Sequence, residues 1–168
     1  AQSLGESQNI EWLQTNARAA ADNTRLYAAG VDDMVKAIAA MKQEEDTSLV
    51  NSREFMDACT AYIEAKERDI EELAKNPEAK AQDVLALNRQ ITIVNNIIGE
   101  GNAIIIGTWY AIANRDPEHF LATQKRFATI DGHLDALRKL TNDARDLELI
   151  KQNAEAGKAY LENMNRFL

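Results

Sequence analysis

Residues 84–115 read VLALNRQITIVNNIIGEGNAIIIGTWYAIANR, and apolar or small residues recur there at Val84, Leu87, Ile91, Val94, Ile98, Gly101, Ile105, Thr108 and Ile112. The steps alternate between three and four for four repeats, the spacing of a heptad seam, which predicts a helix buried among other helices. Beside the seam Asn88, Asn95, Asn102 and Trp109 fall seven apart and share one flank of that helix. A buried amide without hydrogen bonds costs roughly 1–3 kcal/mol, so this stripe requires partners, which are other helices, water or a ligand. Gly99, Gly101 and Gly107 lie inside the same helix. Each costs about 1 kcal/mol relative to alanine, which close helix contact or a local kink would explain.

Upstream, Ile10, Leu13, Ala17, Ala20, Thr24, Tyr27, Val31, Met34, Ile38 and Met41 keep the same spacing. They predict a first helix over 7–45, roughly 55–60 Å long. Small side chains at Ala17, Ala19, Ala20, Ala21 and Thr24 admit a close neighbour. Arg18 and Arg25 also lie seven apart, each two residues after an asparagine, Asn16 and Asn23. That repeats an Asn-and-Arg pair on one face, either a solvated flank or part of a site. The stretch Asp46 to Val50 interrupts the pattern, and Asn51 with Glu54 resembles a capping box that opens a second helix over 52–75. Its seam of Met56, Cys59, Ile63, Lys66, Ile70 and Leu73 contains a lysine, as expected of a half-exposed outer helix. Asn76-Pro77-Glu78 then signals a third helix over 77–114.

Downstream, Asp116-Pro117-Glu118 repeats the cap-and-proline signature and fixes a very short connection to a fourth helix over 117–168. Its seam runs through Phe120, Phe127, Ile130, Leu134, Leu137, Leu140, Ala144, Leu147, Ile150, Ala154, Gly157, Leu161, Met164 and Leu168. The 3-3 steps Leu134-Leu137-Leu140 and Ala144-Leu147-Ile150 mark changes of packing. The expected fold is all-α: one domain over 1–168, an elongated antiparallel up-down-up-down four-helix bundle with both chain ends at the same end of the rod.

Composition narrows the function. A net charge of −8 argues against nucleic-acid binding through a basic surface. Cys59 is the single cysteine, so no intrachain disulfide forms and a core-filling role is expected. The window Ile91 to Ala113 carries one charge, Glu100, but Asn95, Asn96 and Asn102 would have to dissolve in hydrocarbon. A buried bundle helix is expected instead of a spanning one. His119 and His133 have no cysteine or second histidine at ligand spacing, and no Glu-x-x-His motif occurs, so no metal site is expected. Without a Gly-x-Ser-x-Gly, a phosphate-binding loop or a Cys-x-x-Cys-His, neither a cofactor nor enzymatic activity is expected. Glu100, beside Gly101, is the best-placed carboxylate for partial burial, but a single carboxylate makes no acid/base pair.

One resemblance adds to these readings. A hydrophobic helix closing on Trp109-Tyr110, four further residues and Arg115-Asp116-Pro117 is followed by Leu- and Ala-rich heptads through Leu134, Leu137 and Leu140. Within a rod of long helices this resembles the extracytoplasmic sensor domains of bacterial methyl-accepting chemotaxis receptors, of the four-helix-bundle and helical bimodular types. The resemblance implies the periplasmic portion of an inner-membrane receptor, joined to the membrane only through flanking helices outside this sequence. It further implies a homodimer that binds a small organic acid or amino acid and signals along a long helix to a cytoplasmic module. For an anionic ligand it implies bidentate, charge-assisted pairing with Arg18 and Arg25, with Arg89 and Arg145 at roughly their height, although Arg89 falls away from its own seam. A second possible pocket gathers Asn102, Thr108, Trp109, Tyr110 and Arg115, aromatic walls with a few polar groups that equally make a bundle cap. The ligand-binding residues expected are therefore Arg18, Arg25, Asn95, Asn102, Thr108, Trp109, Tyr110 and Arg115. Apolar residues outside the seams, Leu26, Ala29, Val35, Phe55 and Tyr62, are expected to serve homodimerisation. The alternatives are the sensor domain of a membrane histidine kinase and a helical scaffold that presents an acidic surface to a protein partner.

Overall fold

The computed structural model describes residues 11–166, and these are all-α, with no strand among them. The helices are α1 (Glu11–Ala74), α2 (Ala81–Asn114), α3 (Pro117–Gln124), α4 (Arg126–Arg138) and α5 (Ala144–Arg166). Only Lys125 separates α3 from α4, and it keeps right-handed helical angles (φ −61°, ψ −19°), so the two count as one jointed rod among four. Ser7 and the chain's first and last residues lie outside the described range. The chain divides into two compact units, one ending at Gln43 and one beginning at Glu44.

Residues 11–43 are a single stretch of helix in which no side chain is buried. Tyr27 is 76% exposed and Ile38 58%, although both belong to an unbroken 3-4 spacing. The heptad pattern predicted there is intact, and none of its described residues in this unit is buried.

In the second unit, three helix boundaries differ from expectation. The break at Asp46–Val50 is absent and α1 runs straight through it. Asn51 makes no capping box; its Nδ2 donates to the Ala159 carbonyl of α5 at 3.3 Å, and Ser52 Oγ donates to the Leu49 carbonyl at 3.0 Å. Packing against α5 keeps helical a stretch whose own propensity is weak. Conversely, the fourth helix expected over 117–168 stops at Arg138, and α5 starts afresh at Ala144. Asp143 Oδ1 accepts from the N–H groups of Arg145 (2.8 Å) and Asp146 (3.2 Å), while Thr141 Oγ1 accepts from that of Asp143 (3.1 Å). These side chains satisfy free N–H groups at the new start. The third helix begins at Ala81, not Pro77: Asn76 Oδ1 accepts from Glu78 N at 3.0 Å within a turn, and Asp83 Oδ2 accepts from Lys80 N at 3.1 Å where the helix opens. The start at Asp116-Pro117 holds, with Asp116 Oδ1 accepting from His119 N at 2.9 Å. Arg115 takes the left-handed angle that closes α2 (φ 53°).

The core seams are close to those expected but rotated. On α2 the buried residues include Gln90, Val94, Ile97, Gly101, Ile104, Thr108 and Ala111. Val94, Gly101 and Thr108 are shared with the expected line, whereas Ile98, Ile105 and Ile112 are only partly buried. On α1 the buried line is Ser52, Phe55, Cys59, Tyr62 and Lys66, not Met56, Ile63, Ile70 and Leu73. Phe55 and Tyr62, expected on an outer dimerisation face, are 1% and 0% exposed and belong to the core. Leu26, Ala29 and Val35 are exposed as expected. Two of the helical glycines reflect close approach: a Cβ on Gly101 would stand 2.8 Å from Phe55 Cε1, and one on Gly107 2.5 Å from Thr123 Oγ1. Nothing in the structure explains Gly99. No described helix is long and apolar enough to cross a membrane.

Candidate functional site

The rotated seam on α2 decides where the expected ligand-binding residues go. Drawing the inward line through Ile97 and Ile104, not Ile98 and Ile105, turns the buried face by about 50°, half of one residue's 100° step. The turn is away from the asparagine stripe, and Asn88, Asn95 and Asn102 all face solvent. Their expected position near an interior line is therefore corrected. Arg18 is exposed. Arg25 is also exposed and pairs with Asp22 at 2.7 Å, within its own helix. Arg115 is exposed at the end of α2, and Tyr110, 54% exposed, packs its ring on His119 with centroids 4.8 Å apart. Of the eight expected residues, only Thr108 and Trp109 meet at a cavity. Arg89 is exposed, and Arg145 is committed to Asp69, one nitrogen lying 2.7 and 2.6 Å from its two oxygens.

The cavity that Thr108 and Trp109 share lies within the second unit and measures about 10 Å³, the least that holds one water. α1 contributes Glu45, Ser48 and Ser52, and α5 contributes Tyr160, Asn163 and Met164. Phe120 of α3 closes one side, while Leu49 and Trp109, 47% and 42% exposed, stand at the rim. Asn163 is 0% exposed. Its Nδ2 donates to Glu44 Oε2 at 2.6 Å, and because a carboxylate requires a donor, this bond fixes which way the amide points. Its Oδ1 receives no protein donor. Tyr160 is 2% exposed. Burial pushes its phenol above the ordinary range, and hydrogen bonds to Ser48 and Thr108 bring it part of the way back. Thr108 Oγ1 also lies 4.0 Å from Met164 Sδ. The lining is thus rich in oxygen and contains no lysine, arginine or histidine.

A second polar cluster lies elsewhere on the same helices. Lys66, with 3% of its side chain exposed, reaches Asp69 Oδ2 at 2.6 Å and Asp146 Oδ2 at 2.7 Å, and Thr141 Oγ1 adds a bond to Asp146 Oδ2 at 2.9 Å. Asp146 Oδ1 also lies 2.7 Å from the ammonium, though not aligned as a hydrogen bond. Burial would raise the Asp69 carboxyl, but hydrogen bonds from Arg145 and Lys66 outweigh it and hold the group below its usual value. Nearby, Tyr62 OH donates to Gln90 Oε1 at 2.9 Å, Gln90 Nε2 to the Leu140 carbonyl at 3.2 Å, and Cys59 Sγ to Asn153 Oδ1 at 3.0 Å. These groups satisfy one another across α1, α2 and α5, which makes the cluster a structural clamp. The lysine at a seam position was visible in the sequence. Its partner eighty residues on was not, because no local spacing connects the two.

Glu100, expected to be partly buried, is so, and it pairs with Arg126 at 2.8 Å. No group of three metal-ligating side chains occurs among the described residues. No family model, no curated protein and no solved structure matches the chain.

Proposed function

We propose that this chain is a ligand-sensing helical domain of the kind carried by bacterial methyl-accepting chemotaxis receptors, the periplasmic portion of an inner-membrane protein. It binds a small molecule and signals along α1. The observation that carries the reading is the cavity beside Asn163, where a wholly buried amide oxygen lacks a protein donor. An unmet buried acceptor costs about 1–3 kcal/mol. A ligand or a water that fills it recovers that cost.

The same reading takes residues 44–166 as an antiparallel up-down-up-down bundle. Cross-helix pairs support it: Asn163 with Glu44, Ala159 with Asn51, Asn153 with Cys59 and Asp146 with Lys66 descend one helix while ascending the other. It also takes the protein as a homodimer joined through the line of Tyr27, Val31, Met34, Ile38 and Met41, all exposed except the half-buried Val31. A 3.5-residue repeat faces a partner continuously only when two helices supercoil.

Thermal unfolding against a panel of organic acids, amino acids and amines tests the sensing function. At least one compound is expected to raise the midpoint in proportion to the logarithm of its concentration. A panel without any stabilising member removes the reading. Sedimentation tests the dimer: the parent sediments as a dimer, and Met34→Lys with Ile38→Lys as a monomer. A parent that is monomeric at all concentrations rules that interface out.

A further inference from the structure

The residues around Asn163 say more about the ligand than that it is small. We infer that this cavity takes the head group of a primary alkylammonium ion, a cation and not the anion that the arginines suggested. The inference rests on the sensing function proposed above and adds its ligand class. Besides Trp109, the polar residues lining the cavity are Asn163, Glu45, Ser48, Ser52, Thr108 and Tyr160, whose side-chain oxygens are Asn163 Oδ1, the Glu45 carboxylate and four hydroxyls. All are oxygens able to accept. One of them, Asn163 Oδ1, is fully buried and receives no donor from the protein. The amide's own nitrogen is spent on Glu44, and Ser52 spends its proton on the Leu49 carbonyl. The site holds one carboxylate and one unmatched buried acceptor, and no cationic side chain.

An anion entering there would meet the Glu45 carboxylate and oxygen lone pairs with no lysine, arginine or histidine to balance it. An –NH₃⁺ group carries three donors and a positive charge, and has no acceptor to be left unmatched. Its size is close to that of water, which suits a cavity of about 10 Å³. Trp109 at the rim offers its indole face to a cation, and the exposure of Leu49 beside it leaves an apolar way out for a short alkyl tail. A neutral water could also fill the cavity and donate to Glu45, but it carries no charge to pair with that carboxylate or to rest on the Trp109 ring. That difference separates the two occupants experimentally.

The test is a titration of the full chain with ethylammonium chloride, set against sodium propionate, ethanol and sodium chloride at matched concentration. Thermal unfolding is read together with the emission of Trp109 in a Trp12→Phe background. Ethylammonium is expected to raise the unfolding midpoint and shift Trp109 emission, with ethanol, propionate and sodium chloride doing neither. Glu45→Gln, at a half-buried position, is expected to bind ethylammonium about tenfold more weakly while keeping the parent's unfolding midpoint without ligand. Thr108→Val serves as a second variant with the same expected loss. An equal response to ethanol or to salt, or full binding in both variants, overturns the inference. If propionate or another acid stabilises and ethylammonium does not, the ammonium assignment fails while ligand sensing stands. If nothing in either series stabilises, both fail.

Discussion

Phe55 of α1 lies so close to the backbone of Gly101 on α2 that a Cβ at Gly101 would stand 2.8 Å from Phe55 Cε1 and 3.2 Å from Met56 Sδ. The ring is 1% exposed and has no free space to turn into. Gly101→Ala should therefore destabilise the fold by about 1–3 kcal/mol, as overpacking does. Gly99→Ala, with nothing within 4 Å of the new methyl, should instead stabilise by about 0.5–1 kcal/mol through helix propensity. Urea unfolding of the two variants checks the pair. Equal effects would mean that α1 and α2 do not approach at this point.

Lys66 and Asp146 form an ion pair with 3% and 2% of their side chains exposed. Removing either partner leaves the other charge buried with only part of its compensation, Asp69 remaining for Lys66 and Thr141 with Arg145 for Asp146. Asp146→Ala and Lys66→Ala should each cost about 3–5 kcal/mol, and the apolar double replacement Lys66→Met with Asp146→Leu should recover most of that loss. Denaturant midpoints of the three variants measure it. A double variant as unstable as the sum of the singles would contradict the pairing.

Asp69 predicts the acid limb of stability. Its carboxyl is held below the unfolded value of 3.8 by Arg145 and Lys66, against the opposing effect of burial. A carboxyl depressed on folding binds protons more readily when unfolded. Its contribution is complete above 3.8 and is lost as pH falls through the folded value. Asp69→Asn should flatten the dependence of unfolding free energy on pH below about pH 4 and leave the neutral range unchanged in slope.

Cys59 is 0% exposed, and burial pushes its thiol up to about 12. A disulfide reagent at neutral pH should therefore label it no faster than the protein opens, and in urea labelling should accelerate with the unfolded fraction. Rapid labelling of the native protein would place the thiol at the surface instead.

How far the sequence could be read depends on the kind of signal. Asp116-Pro117 is a local chemical instruction, and the helix starts there. Asn51 and Glu54 carry an equally good local instruction that is overridden, because Asn51 finds a carbonyl on α5 and the helix passes through. Thr141-Asn142-Asp143 holds the cap that opens α5, but apolar spacing on either side obscured it. The site was legible only in Thr108 and Trp109. Asn163, Tyr160 and Ser48 carry no pattern of their own and matter through where three helices bring them.

By itself, the sequence determined that the described residues are all-α and that the faces of α1, α2, α4 and α5 follow 3-4 spacing. Those properties follow from the periodicity of side chains along one helix. Tertiary structure alone decided which of two overlapping spacings on α2 turns inward, since Ile97 with Ile104 and Ile98 with Ile105 satisfy the same repeat. Close approach of Phe55 to Gly101 and of Thr123 to Gly107 selects the first pair. That rotation carries the asparagines out to water and leaves the buried acceptor at Asn163.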